Sequence, residues 1–232
     1  MSRALPFLLL ALTACSVTNG DGIAGSEMRE LEDFDAIANA SNVPVVVEVG
    51  PAQSVRISCD QNLLPLIETQ VEGGMLEVSI PFDTTVVPTL PCQLDVTVPS
   101  LVEVQNSDIG GVEVFGAVVD LGYARNTGLG EIAAAGIDTA SLRAVNRHGG
   151  GLVLAGVVDW ADLDNLGAGG IQAEELVCEG ADVTNSGSGD VTVTVTGTAV
   201  VHVSDTGNVV LLGDPDEVIT EDSGCGDVEQ GS

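Results

Sequence analysis

Asparagine residues at an almost constant spacing constrain this sequence more than any other feature. They are separated by 20, 20, 19 and 20 residues and stand at Asn106, Asn126, Asn146, Asn165 and Asn185. Small or apolar residues stand two and four positions before each Asn, and apolar residues stand six and eight positions after it. Glycines fill the intervening stretch, where a turn needs them. The repeating unit is therefore a strand, an Asn-Gly turn and a second strand.

A repeat of this length is too short to bury its own apolar residues, so each repeat must pack against its neighbours. The apolar residues alternate with a period of two, which indicates strands with one inward face. Coils stacked at about 4.8 Å would align the asparagines, each amide donating to the next. The alternative is a sandwich of β-hairpins, but hairpin turns need not keep a constant period. We predict an all-β chain, a β-solenoid-like stack of repeats with an N-terminal β-rich cap.

The chain divides into four parts by composition and pattern. We predict a lipoprotein signal peptide, a flexible Gly- and Ser-rich tether, a β-rich N-terminal part of the domain and a repeat part of the same domain, at 1–14, 15–30, 31–100 and 101–228. The β-rich part would cover the end of the stack, because an open solenoid end exposes unpaired strand edges.

The N-terminus carries an export signal. An apolar run from Ala4 to Ala11 is too short to span a membrane, and Leu12-Thr13-Ala14-Cys15 follows it. This tetrapeptide resembles the lipobox of bacterial lipoproteins, in which the cysteine receives a diacylglycerol. The alternative is an ordinary secretory signal. Ser16 follows the cysteine where an inner-membrane retention signal would place Asp, which favours the outer membrane, unless the source has a single membrane.

The charge of the chain limits its partners. Six Arg and no Lys stand against 35 acidic residues, giving a net charge of −29. Nucleic acid and anionic membrane surfaces are excluded as partners on electrostatic grounds. Cationic partners, divalent ions or plain solubility remain, and solubility is the simplest reading because outward acidic side chains keep stacked strands from associating.

Four cysteines remain in addition to Cys15 in an exported setting that permits disulfides. Cys59 ends one predicted strand and Cys92 begins another, so a bridge between them is expected. Cys178 and Cys225 lie in different columns more than two repeats apart, which is too far for disulfide geometry.

Several passages resemble the auto-transporter adhesin head GIN domain family. They are Phe34-Asp35-Ala36-Ile37 with the strand at 43–47, the segment 63–78, the passage 96–104, and the Ser-Gly turns best preserved at 185–191. The resemblance covers roughly residues 31–228. It implies an all-β fold with a solenoid-like region, commonly on exported bacterial lipoproteins, and no established enzymatic activity. It therefore supplies no catalytic residues.

One outward column assembles polar residues three positions before each Asn. It contains Glu103, Tyr123, Arg143, Asp162, Asp182 and His202, and Asp164 stands beside it. The placement of His202 assumes that Asp205 replaces the next Asn. The carboxylates could bind a divalent cation, or act with Arg143 in the manner of a polysaccharide lyase or glycosidase. The simpler hypothesis is a solvated face where Arg143 relieves repulsion, and we expect neither metal nor cofactor.

Three further features carry weaker signals. His148 has no Cys or His at metal-ligand spacing. The run at 186–189, Ser-Gly-Ser-Gly, lacks the helix and the Lys of a phosphate-binding loop. Trp160 is outward and could stack on a sugar ring, although an aromatic side chain that covers its strand neighbours is the commoner case.

These observations predict a lipid-anchored, non-enzymatic protein of the bacterial cell envelope with a role in adhesion or envelope interaction. Its expected partners are the membrane, through the N-terminal lipid, and a glycan or an envelope protein. A polysaccharide-active enzyme and a calcium-dependent binding module are the alternatives. The short turns of constant length argue against the long loops that a catalytic groove needs.

Overall fold

A computed structural model describes residues 16–231 as an all-β chain, which confirms the predicted class. Nine strands precede the repeats: β1 (Ser16–Asn19), β2 (Ala24–Met28), β3 (Ala36–Ala40), β4 (Val45–Val49), β5 (Ser54–Asp60), β6 (Glu68–Glu72), β7 (Met75–Ser79), β8 (Thr84–Val87) and β9 (Gln93–Val98). Ten follow: β10 (Glu103–Asn106), β11 (Val112–Gly116), β12 (Tyr123–Asn126), β13 (Ile132–Asn146), β14 (Leu152–Asn165), β15 (Ile171–Asn185), β16 (Val191–Val203), β17 (Val209–Leu212), β18 (Glu217–Asp222) and β19 (Val228–Gln230).

A 3-10 turn at Leu64–Leu66 is the single helical segment within residues 16–231. No helix in this part of the chain has the length and hydropathy needed to cross a bilayer.

The strands form a β-solenoid whose coils pair in parallel. One ladder contains the strands that end at the asparagines, in the order β7, β3, β10, β12, the ends of β13 to β16, and β18. A second ladder contains the strands after the turn, in the order β9, β4, β11, the beginnings of β13 to β16, β17 and β19. The predicted stack of coils is confirmed, and the hairpin sandwich is excluded.

The long strands β13 to β16 bend between the two ladders. In β13 the bend lies at Gly136, which adopts a φ of 80° that a residue with a side chain rarely accepts. The pairing of β13 with β14 shifts at the same point, between Ala135 and Ile137. A single strand therefore covers two sides of a coil.

A continuous apolar core runs along the axis of the stack. In β14, Leu152 and Leu154 are buried, whereas Val153 between them is half-buried and faces outward. Burying a Val or Leu side chain of this kind contributes about 1.5–3 kcal/mol. Because the period is two, a slip of one residue would turn every core side chain outward, and this fixes the register of the stack.

The asparagine side chains lie inside the corner of the coils. Hydrogen bonds join three adjacent pairs: Asn106 Nδ2 to Asn126 Oδ1 at 3.2 Å, Asn146 Nδ2 to Asn165 Oδ1 at 3.0 Å, and Asn165 Nδ2 to Asn185 Oδ1 at 3.1 Å. The amides also bond the turn itself, as in the 3.0 Å bond from Asn185 Nδ2 to Gly189 O. Each asparagine therefore satisfies backbone groups of its turn that cannot reach water.

The ladder of amides is not continuous. Asn126 Nδ2 donates to Gly130 O at 2.7 Å and to Gly151 O at 2.9 Å. Within residues 16–231, Asn146 Oδ1 is one of the buried side-chain oxygens without a hydrogen-bond partner. The expectation that every amide donates to the next is therefore met in three pairs and not between Asn126 and Asn146.

The corners are too tight for side chains. A Cβ on Gly187 would lie 2.2 Å from Gly167 O of the neighbouring coil. Real Cβ atoms do not approach this closely, so glycine is required here because the coils are in contact.

The stack begins earlier in the chain than the regular spacing indicates. Asn39 pairs in register with Asn106, and its buried Nδ2 donates to Val43 O at 3.0 Å. β3 lies between β7 and β10, and β4 lies between β9 and β11. The residues between β4 and β10 therefore leave the stack and return to add a coil on the outer side of β3 and β4.

Antiparallel strands cover the N-terminal end of the stack. β5 pairs with β9 and β6 pairs with β7, both antiparallel. The structure joins Cys59 to Cys92 in a disulfide across the β5–β9 region. The other two cysteines of the described chain are free: Cys178 is buried, which raises the pKa of its thiol to about 12, and Cys225 is exposed.

The segment expected to be a flexible tether contains two strands. β1 pairs in parallel with β8, and β2 pairs antiparallel with β5. The buried carboxylate of Asp60 accepts hydrogen bonds from the backbone N–H groups of Gly22 at 2.8 Å, Thr89 at 2.9 Å and Leu90 at 3.0 Å. Residues 16–28 are thereby fastened to the cap, whereas Cys15 lies outside the described residues.

Candidate functional site

The outward polar column is formed by parallel pairing of consecutive coils. Tyr123 stands opposite Arg143, Arg143 opposite Asp162, and Asp162 opposite Asp182. Glu103 precedes Tyr123 in the same column. Asp164 lies on the same face of β14, two residues after Asp162. The structure therefore brings together five of the six residues of the predicted binding face: Tyr123, Arg143, Asp162, Asp164 and Asp182.

His202 does not belong to this column. It stands opposite Thr184, and Val200 takes the position after Asp182. The prediction slipped by two residues because Val203, not Asp205, follows Asn185 in the ladder. A coil of 18 residues replaces one of 20 at this point. His202 Nδ1 instead lies 3.4 Å from Glu221 Oε2 on the next coil.

Arg143 divides its guanidinium between two carboxylates. Nη1 donates to Asp162 Oδ2, and Nη2 donates to Asp164 Oδ2. Burial raises the pKa of Asp162, and the negative charges of Asp164 and Asp182 raise it further, whereas Arg143 acts in the opposite direction. The arrangement is that of a cation placed to relieve repulsion among three carboxylates.

The column lacks the arrangement of a preformed metal site. Within residues 16–231, one group of three side chains has potential metal-ligand atoms close together: Cys59, Asp60 and Cys92. The two cysteines form the disulfide, so they offer no thiolate. A cation at the acidic column would have to compete with Arg143 for Asp162 and Asp164.

A groove beside the column is built around Trp160. It has a volume of about 430 Å³ and is lined by Asp159, Trp160, Glu179, Gly180, Gly197, Thr198 and Asp216. Trp160 is 42% exposed, and it stands opposite Gly180 of the next coil. A Cβ on Gly180 would lie 2.3 Å from Cζ3 of the indole. The ring can therefore lie against the backbone of the neighbouring coil because position 180 has no side chain.

The chemistry of this groove combines an aromatic side chain with three carboxylates. Asp159, Glu179 and Asp216 lie at its edges, on successive coils. An exposed indole offers an apolar face, and carboxylates accept hydrogen bonds from hydroxyl or ammonium groups. The sequence reading noted Trp160 alone. The spacing held a further signal, because Asp159 and Glu179 are one repeat apart, as are Trp160 and Gly180.

The other features noted in the sequence are parts of ordinary turns. His148 is exposed, and its carbonyl accepts a hydrogen bond from Gly169 N at 3.0 Å. In the Ser-Gly-Ser-Gly turn, Gly187 N donates to Asn185 Oδ1 and Ser188 N donates to Gly167 O. These donors are engaged within the stack, which leaves them unsuited to hold a phosphate.

Comparisons with known proteins identify both a family and a fold. A family model described as "Putative auto-transporter adhesin, head GIN domain" matches residues 33–215. A comparison with curated protein sequences finds no match.

Solved structures of similar architecture come from gut bacteria. A candidate adhesin from Bacteroides fragilis superposes with a TM-score of 0.86 at 18% identity, over 92% of this chain and 100% of the other. A candidate lipid-binding protein from Parabacteroides distasonis gives 0.72 at 20% identity, over 94% and 100%. A candidate adhesin from Parabacteroides merdae gives 0.71 at 18% identity, over 93% and 99%. At these identities the likeness establishes a shared fold.

Proposed function

Because the chain belongs to the auto-transporter adhesin head GIN domain family, we propose that it is a lipid-anchored, non-enzymatic adhesin of the bacterial cell envelope that binds neutral or amino-sugar glycans at the Trp160 groove. The observation that carries the glycan assignment is the half-exposed indole of Trp160 beside Asp159, Glu179 and Asp216. Family membership supports adhesion in general, and the groove supplies a surface suited to a ligand.

The groove selects its ligand by shape and charge. A sugar ring presents a patch of C–H groups to an aromatic face and hydroxyls at its edge, which match the indole and the carboxylates of the groove. Three carboxylates on a chain of charge −29 repel carboxylated and sulfated sugars. Neutral and amino sugars are therefore the favoured class.

The polar column favours a non-enzymatic role. Glycoside hydrolysis needs one carboxyl to give a proton and another to act as nucleophile or base. Two of the three candidate carboxylates, those of Asp162 and Asp164, are ion-paired with Arg143 on an open strand face. That pairing keeps the column soluble and leaves adhesion as the function we assign.

The membrane assignment rests on the sequence around Cys15. The lipobox-like Leu12-Thr13-Ala14-Cys15 and the following Ser16 support lipidation and sorting to the outer membrane, with the domain facing the periplasm or the cell surface. Cells fed a fatty-acid probe should label the wild type and leave Cys15→Ala unlabelled. Equal labelling of both would remove the anchor from the proposal.

Glycan binding is tested with purified full-length protein on an array of neutral, amino and acidic glycans. We expect signals on neutral or amino sugars that fall at least about tenfold in Trp160→Ala, since an aromatic stacking surface contributes on the order of 1–3 kcal/mol. Phe115→Ala is the matched control, because Phe115 is an exposed aromatic residue on another strand. Signals that survive Trp160→Ala, or that appear on acidic glycans alone, would contradict the assignment.

A further inference from the structure

A group of exposed apolar side chains lies on one corner of the stack near its N-terminal end. Phe82 is 105% exposed, Ile109 is 57% exposed and Leu129 is 59% exposed. These three residues are called the corner patch below. A fully exposed Phe is costly in water and marks a surface that is covered in use.

The corner patch is continuous because β8 is fastened to the turns of the solenoid. Asn42 Nδ2 donates to Val86 O of β8 at 3.1 Å. Asn42 stands three residues after Asn39 in its coil, the position that Ile109 and Leu129 occupy in the next two coils. A groove of about 380 Å³ is lined by Phe82 and Ile109 together with Pro81.

The described chain begins beside this patch. Ser16 N donates to Asp83 O at 2.7 Å, and Ser16 Oγ donates to the same oxygen at 3.2 Å. Asp83 is bonded directly to Phe82, and consecutive Cα atoms are about 3.8 Å apart. Cys15 is therefore held by one peptide bond to a residue that the structure fixes next to Phe82.

Apolar bulk at this corner declines with distance from Ser16. Three residues after the successive asparagines stand Ile109, Leu129, Gly149, Ala168 and Ser188. Large apolar side chains occupy the two of these coils nearest the N-terminal end, and small or polar residues follow. A requirement of the core cannot explain the decline, because these positions lie in turns outside it.

We propose that the corner patch rests in the interface of the bilayer that holds the lipid of Cys15. This inference rests on the lipid anchor of the proposed function. Acyl chains attached at Cys15 would bring the membrane to Phe82 and Ile109, and burying these side chains in the interface then stabilises one orientation of the stack. Asp83 and Asp108 lie beside the patch and favour zwitterionic over anionic lipid at the point of contact.

Depth-dependent fluorescence quenching tests the orientation. The chain has one Trp, so each probe is placed in a Trp160→Phe background. Full-length lipidated Phe82→Trp and Ile109→Trp are reconstituted in phosphatidylcholine vesicles whose acyl chains carry bromine, which quenches indoles at short range. Ile219→Trp is the control, because Ile219 is exposed on β18, eight strand spacings from β7 or roughly 38 Å along the stack.

We expect the probes at positions 82 and 109 to lose about half of their fluorescence and the probe at 219 to lose almost none. Mass spectrometry of the same samples establishes whether Cys15 carries lipid. Lipidated protein with all three probes unquenched would overturn the docking and leave the anchor standing. Absence of lipid on Cys15 would overturn both. Retention on vesicles is not a suitable measurement, because the acyl chains alone hold the protein there.

Discussion

Asn165 Nδ2 lies 3.1 Å from Asn185 Oδ1, so a buried amide of one coil is bonded to the buried amide of the next. The same Nδ2 donates to Gly189 O at 2.8 Å, and Asn165 Oδ1 accepts from Asn146 Nδ2 at 3.0 Å. One side chain therefore connects three coils and the turn between two of them.

Asn165→Leu should lower the free energy of unfolding by about 3–5 kcal/mol, because each buried polar group left without a partner costs about 1–3 kcal/mol. Urea denaturation followed by circular dichroism measures the change. Gln172→Leu is the control, since Gln172 is an exposed amide on the next coil, and it should change stability by less than about 0.5 kcal/mol. Similar costs for both would show that the ladder contributes little.

Leu154→Asp should destabilise the chain by several kcal/mol, because Leu154 is buried in the core and the new carboxylate would have no partner there. Val153→Asp places the same charge on the neighbouring half-buried, outward residue and should cost about 1 kcal/mol or less. Thermal and urea unfolding of the two variants would be compared directly. Equal or reversed costs would contradict the inward and outward assignments.

Asp60 should make stability depend on acid pH. Burial raises its pKa, but the backbone N–H groups of Leu90, Thr89 and Gly22 together outweigh burial and lower the pKa below the ordinary Asp value. The stabilisation is therefore present above the unfolded pKa, near 4, and is lost as the pH falls through the folded pKa.

Asp60→Asn should be less stable than the wild type at pH 7, and the difference should shrink as the pH falls below about 4. Urea titrations at several pH values measure this. Asp33→Asn changes the net charge equally at an exposed position and should not reproduce the effect. A difference that stays constant with pH would show that Asp60 acts without its charge.

Calcium should stabilise the chain only through general screening. A specific site would raise stability by about 2.7 kcal/mol at a hundredfold excess of ion over its dissociation constant. Arg143 already pairs with Asp162 and Asp164, so we expect magnesium to replace calcium and monovalent salt to imitate it. Differential scanning calorimetry of the wild type and of Asp162→Asn with Asp182→Asn makes the comparison. A calcium-selective shift that vanished in the double variant would establish a binding module instead.

The repeat part could be predicted because stacked coils impose the same requirement at every turn. An Asn that bonds the corner and small residues that permit close contact must recur with the length of the coil, and the sequence shows this recurrence directly. The family resemblance is confirmed by the match over residues 33–215. Where a coil changes length the signal weakens, and His202 was placed one alternation away from its column for this reason.

Asn39 was missed because 67 residues separate it from Asn106 although the two are paired in space. A local signal existed, since Val45 and Val47 stand six and eight residues after Asn39 as in every repeat. The contact of Trp160 with Gly180 could not be predicted in the same way. It depends on how the indole lies across the neighbouring coil, which the spacing of residues does not specify.

The position of β3 between β7 and β10 has a consequence for export. During export β3 leaves the membrane ahead of both strands that pair with it, because β7 ends at Ser79 and β10 ends at Asn106. Both edges of β3 stay open until more than sixty further residues have followed it. Such edges are sites of misassociation between chains, and closing so long a loop is slow. The coil nearest the anchor is thus among the first to emerge and can be completed only after β10 has followed.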